Sequence, residues 1–228
     1  MATKIIKIIV SYDGTENDRD ALALGSVLGR AGASLELAYV RHAVASESGS
    51  DRLQENDAQE LLAQGAAALG APDTPRHVVL SGSTAEGLRT LALSIDADMI
   101  VFGSEYRTAP MHVDPQQTAA RLLDGGPVAI GVAPAGFADQ GEFAAKTIAA
   151  IGEDGDPTAR ETAESLAGFF GSQVAQKATR DADLIVVGSK PGVVTGRVTI
   201  SAAAEYLIQL ARCPVIVLPR GVALHFGR

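Results

Sequence analysis

Residues 97–137, ADMIVFGSEYRTAPMHVDPQQTAARLLDGGPVAIGVAPAGF, align without a gap on residues 182–222, ADLIVVGSKPGVVTGRVTISAAAEYLIQLARCPVIVLPRGV, at a constant offset of 85. Each block has the pattern strand, Gly-Ser turn, loop, helix, strand. A second echo stands in front of each block: KIIVSYDGTENDRDA, beginning at Lys7, against TIAAIGEDGDPTARET, beginning at Thr147, which pairs Asp13-Gly14 with Asp154-Gly155 at an offset of 141. The two offsets disagree by 56, because 90 residues separate Asp13 from Gly103 but only 34 separate Asp154 from Gly188. The sequence therefore predicts a complete domain followed by an abbreviated sibling that lacks about two β-α units from its middle.

Outward from the repeat, β-branched strand patterns alternate with helical ones. Residues 5–12 form a strand, Thr15-x-x-Asp18 resembles a capping box opening a helix to Arg30, and residues 33–40 form a second strand. A polar loop at 43–50 precedes an amphipathic helix over 51–69, a short strand at 77–80 and a helix over 84–95. Strands at 98–102 and 128–133 flank a helix at 116–123. This alternation argues an α/β fold with a doubly wound, mostly parallel sheet. In the second half, strands at 147–151, 183–187 and 214–218 are clear, with a helix capped by Asp156 that has Pro157 in its first turn, and another over about 201–211. Ten residues between Phe170 and Asp181 are too few for two strands and two helices, so three strands are expected there against five in the first half. The domain boundaries follow: 1–137 complete, 138–145 linker, 146–228 abbreviated.

Composition narrows the classes. Hydrophobic residues make up 46% and charged ones 20%, as in a folded soluble core, and no apolar run approaches the roughly twenty residues that span a bilayer. With no signal-peptide pattern at its beginning, a cytoplasmic location is the expectation. The net charge is −8, and the excess is local: residues 1–140 carry ten Lys/Arg against eighteen Asp/Glu, residues 141–228 nine against nine. That balance, without a basic cluster, argues against nucleic acid as a partner. The single cysteine, Cys213, lies in the apolar run CPVIVLP and is expected to be a buried thiol. The four histidines have no ligand spacing, and no Ser-His-Asp or Cys-His arrangement can be assembled.

YDGTENDRDAL at the first turn, DADMIVFGS and DADLIVVGS around the Gly-Ser turns, and PVAIGVAPAGF and CPVIVLPRG at the last strands together resemble the universal stress protein family in a tandem form. The resemblance covers nearly the whole chain. It implies a flavodoxin-like or adenine nucleotide α-hydrolase-like sheet of order 3-2-1-4-5, and pairing of the fifth strands, 128–133 with 215–218, as an internal pseudo-dimer. It also implies a site at the carboxyl ends of the strands, where ATP-binding members use Gly-x-x-Gly, nine residues, then Gly-Ser or Gly-Thr. Such glycines let backbone approach phosphate oxygens, and a helix amino terminus favours anions.

Carried over by position, the candidate nucleotide residues are Asp13, Gly14, Val40, Gly103 and Ser104 in the first copy, and Asp154, Gly188, Ser189, Gly192 and Ser201 in the second. Each also has a plain structural role. The Asp-Gly pairs make turns and cap helices, Val40 is core, Ser201 caps its helix, and Gly103 and Gly188 supply a positive φ after a strand. Both copies depart from the motif. Tyr106 replaces the second glycine and Gln116-Gln117 the Gly-Ser, while in the second copy Pro191 takes the glycine position, Gly192 comes one residue late, and the wall from the second strand is expected to be missing. These departures favour a non-enzymatic stress-response protein, a regulator or scaffold with a degenerate nucleotide site and no cofactor. The alternative is an ATP-binding, nucleotide-dependent switch. The shortened second sheet is expected to leave the flank of residues 148–151 open, to be covered by a loop, by the partner copy or by a second chain as a further homo-oligomer.

Overall fold

The computed structural model describes residues 4–42, 48–177 and 181–227, with side chains in the second helix from Glu55 onward. The elements are β1 (Lys7–Ser11), α1 (Glu16–Arg30), β2 (Ser34–His42), α2 (Ser48–Ala68), β3 (Arg76–Ser81), α3 (Thr84–Ser94), β4 (Met99–Phe102), α4 (Gln117–Leu122) and β5 (Ala129–Val132). A 3-10 turn (Phe137–Gln140) leads to β6 (Thr147–Ile151), α5 (Thr158–Phe170), β7 (Gln173–Ala175), β8 (Leu184–Val187), α6 (Ala202–Leu210) and β9 (Val215–Val217). Helix α2 begins three residues before the expected 51. Part of the loop expected at 43–50 is thus helix, and residues 43–47 lie outside the described residues.

The nine strands of the described residues form one sheet of order β3-β2-β1-β4-β5-β9-β8-β6-β7. Every pair is parallel except β5 with β9, which is antiparallel with Gly131 opposite Ile216. These two residues stand 85 apart in the sequence, the offset of the two aligned blocks. The predicted α/β class with a mostly parallel sheet is what the chain adopts.

The expected three strands in the second half are four. Gln173–Ala175 pairs in parallel with β6, Thr147 against Gln173 and Ala149 against Ala175. This strand has only three residues, too few for a periodic pattern to register. It occupies the position of β2, so among the described residues the elements without a counterpart are α2, β3 and α3, and the flank of β6 is covered by β7.

Two apolar layers cover the sheet. One face carries α1, α2 and α5 over Ile8, Val10, Met99, Val101, Ile148 and Val186. The other carries α3, α4 and α6 over Ile9, Ile100, Phe102, Ile185 and Val187. Each layer runs through both halves. Burying each large aliphatic side chain contributes about 1.5–3 kcal/mol, which makes the shared layers the main bond between the halves. A tail after β9 adds to it: Leu224 and Phe226 are buried, their N–H groups donate to Thr162 Oγ1 and Ser165 Oγ of α5, and the Gly227 N–H donates to Ala31 O beyond α1.

Candidate functional site

The carboxyl ends of β1, β4, β6 and β8 and the loops after them carry the candidate residues other than Val40, within β2, and Ser201, the cap of α6, and the Gly-Ser turns repeat in atomic detail. Ser104 Oγ donates to Ala133 O at 2.7 Å and accepts from the Asp114 N–H at 3.2 Å. Ser189 Oγ donates to Leu218 O at 2.7 Å and accepts from the Thr199 N–H at 3.1 Å. Every partner is displaced by 85. Both hydroxyls are buried and pin the loop after the strand to the end of its neighbour, so their hydrogen-bonding capacity is spent inside the protein.

The loops that follow also share a backbone. Gly192 and Gly196 have φ of +80° and +81°, and their counterparts Arg107 and Met111 adopt φ of 70° and 61°. Gly192 is therefore the glycine of a left-handed turn that both loops make, and it stands 85 residues after Arg107 rather than after Tyr106. Gly103 and Gly188, expected at positive φ, are not. A side chain at Gly103 would meet Asn17 O at 2.0 Å, so it is glycine because the first turn of α1 presses on it. Gly188 has no such neighbour closer than 3.7 Å.

At the first turn Asp13 Oδ1 accepts from the Thr15 N–H, the expected turn role. The residue that dominates there is Asp18, whose buried carboxylate accepts from the N–H groups of Asp13, Gly14 and Thr15. Burial, and after it the neighbouring Asp13 charge, push this carboxyl up to about 7 against those donors. Leu61 of α2 lies over Gly14, so close that a Cβ there would meet its methyl at 2.5 Å. Val40 is buried and packs against Gly87 under α3, which makes its side chain core. Its neighbours Tyr39 and Arg41 line, with His42, Asp57 and Leu61, a cavity of about 370 Å³ between the end of β2 and α2.

The turn after β6 departs from the expected correspondence by one residue. Ile8 sits opposite Met99 and Ile148 opposite Leu184, so β1 maps onto β6 at an offset of 140 and Glu153, not Asp154, takes the place of Asp13. Asp154 is exposed at φ 47° within the turn. Ser201 accepts from the Ala204 N–H as helix cap and donates to the Glu153 carboxylate. Between these groups lies Arg220, which donates to Glu153 O at 3.0 Å and Ser189 O at 3.4 Å and pairs with Asp156 at 3.3 Å. Burial works against the Asp156 charge, but the N–H groups of Thr158 and Gly221 and the Arg220 guanidinium hold its carboxyl below the usual range. No sequence signal pointed to Arg220, whose counterpart is Ala135. The role of Asp18 was foreshadowed only as a capping residue.

A further opening of about 390 Å³ lies on the seam between α4 and α6, with Asp114, Asp124, Lys190 and Glu205 around Leu123 and Ile208. Burial pushes the Cys213 thiol up to about 12, and among the described residues no group of three or more His, Cys, Asp or Glu is placed to hold a metal. No described helix is long and apolar enough to cross a membrane.

Comparison with solved structures places this arrangement among known folds. A universal stress protein from Archaeoglobus fulgidus DSM 4304 superposes with a TM-score of 0.69 at 14% identity, covering 94% of this chain and 98% of that one. A functionally unknown protein from Pseudomonas aeruginosa PAO1 superposes with a TM-score of 0.60 at 12% identity, over 95% and 93% of the two chains. Identities this low speak for the fold alone. Among curated proteins none matches the sequence. The sequence model of the universal stress protein family matches residues 5–128, more than half of the length, and the chain belongs to that family.

Proposed function

We propose that this is a non-enzymatic universal stress protein, a pseudo-dimeric regulator or scaffold whose nucleotide cradles are closed from within. The observation that carries this reading is the Asp18 carboxylate on the N–H groups of Asp13, Gly14 and Thr15. A protein carboxyl group there takes the donors that an anionic ligand or its ribose would need. In the second half the Arg220 guanidinium is engaged by Glu153 O and Ser189 O, and Ser201 by the Glu153 carboxylate, so these groups too are taken up within the protein. Function then rests on the surfaces of two joined domains, with no cofactor and no catalytic group.

A second reading keeps an adenine nucleotide as ligand. It draws on the cavity beside Tyr39 and Arg41, whose roughly 370 Å³ falls in the range of small-molecule sites. The test is to denature and extract purified protein, quantify released adenine nucleotide by chromatography, and titrate emptied protein with ATP-Mg in a calorimeter. The scaffold reading expects neither stoichiometric nucleotide nor heat. Release near one per chain with micromolar rebinding would overturn it in favour of the switch.

A further inference from the structure

The shortening of the second half leaves one helix without its neighbour. In the first half Arg121 and Leu122 of α4, and Gly125 in the turn after it, border an opening against α3, and Leu122 is buried there. The same positions on α6, one repeat later, are Tyr206, Leu207 and Leu210. Only eight residues join β7 to β8, and among the described residues no counterpart of α3 exists. Tyr206 is 64% exposed and Leu210 60%, one helical turn apart, with exposed Ala203 on the same side. The opposite edge of α6 is polar, where Glu205 and Gln209 border the seam opening. The side that lost its cover is thus more apolar than the covered side of α4, the reverse of what solvation alone would favour.

We propose that this stripe is an interface for a second copy of the chain, formed by two α6 helices packing antiparallel and crossing midway between Tyr206 and Leu210, with Tyr206 of each copy against Leu210 of the other. Three observations select a copy as occupant. The stripe is self-complementary, as an isologous contact requires. Among the described exposed large hydrophobics, Tyr206 and Leu210 alone share a helix face one turn apart, whereas Leu93 on α3 and Phe169 on α5 stand singly, so the matching face on a copy is the same face. The acidic excess lies in residues 1–140, while residues 141–228 are balanced, so copies meeting through α6 keep their like-charged halves apart. A nine-residue helix is roughly 13 Å long, and two of them bury less than the roughly 1,200–2,000 Å² of a standard interface, so the association is reversible.

Sedimentation of the full chain from micromolar to submillimolar concentration tests this. The weight-average mass should climb from the 23.5 kDa of one chain toward twice that value. Leu210→Glu and Tyr206→Lys should each stay at one chain mass, and mixing the two should restore the dimer, because the new Glu and Lys then face each other across the contact. Circular dichroism confirms that these exposed substitutions leave the fold intact, and Leu93→Glu should associate as the parent does. A parent that remains at one chain mass throughout would overturn the proposal and leave the stripe to a different protein. Variants that associate like the parent, or a mixture that gains nothing, would equally overturn it.

Discussion

At Arg107 and Met111 two ordinary residues hold a backbone conformation that their counterparts Gly192 and Gly196 adopt without strain. The left-handed region costs a non-glycine residue about 1 kcal/mol, and nothing lies within 4 Å of a Cβ built on Gly196. Gly196→Ala should therefore lower stability by about 1 kcal/mol in chemical denaturation, and Met111→Gly should raise it by about half that. Asp18 sets a pH dependence. Its folded-state pKa is raised from 3.8 to about 7, so its contribution to stability is present in acid and is lost as pH rises through about 7. Unfolding free energy should fall by on the order of 2 kcal/mol between pH 5 and pH 8, and Asp18→Asn should flatten that slope. An unchanged slope in the variant would place the titration elsewhere. What sequence shows at this scale is the kind of residue, not its partner. Ser104 and Ser189 could be recognised as equivalent, but their acceptors lie 29 residues away across a neighbouring strand end. Arg220 reaches its acceptors over 67 and 31 residues, beyond any local pattern.

Elements long enough to show a period were legible within a residue or two, as in β1, α1, α3, α5 and β8. The failures share a cause. The three-residue β7 has no period to detect, and its place in the sheet follows from pairing with β6 rather than from its own sequence. The echo of the first turn misplaced Glu153 because an Asp-Gly pair attracts an Asp-Gly pair, whereas the strand register in space runs at an offset of 140. The tail after β9 offered too few apolar residues to stand out, yet Leu224 and Phe226 are 4% and 7% exposed between α5 and α1. Phe226→Ala should destabilise by about 3 kcal/mol, at the lower end for a buried phenylalanine. A loss under about 1 kcal/mol would show that the tail only rests on the surface.

Across the whole molecule the two halves share a sheet and both apolar layers, and Asp20 of α1 adds a tether by accepting the N–H groups of Gly136 and Ala138 just after β5. Calorimetry should therefore show a single unfolding transition whose van't Hoff and calorimetric enthalpies agree. Two resolved transitions would mean that the seam between β5 and β9 melts first. That seam also imposes an order in time. Val132 of β5 meets Val215 of β9, about 80 residues further along the chain. At roughly 5–20 residues per second, a ribosome needs about 4–16 s to deliver the partner after β5 has emerged. Throughout that interval a nascent first half presents the open flank of a fully apolar strand to its surroundings. Translation speed through α5 and β8, and any chaperone that shields a strand edge, thereby become determinants of how much of this protein reaches its native state.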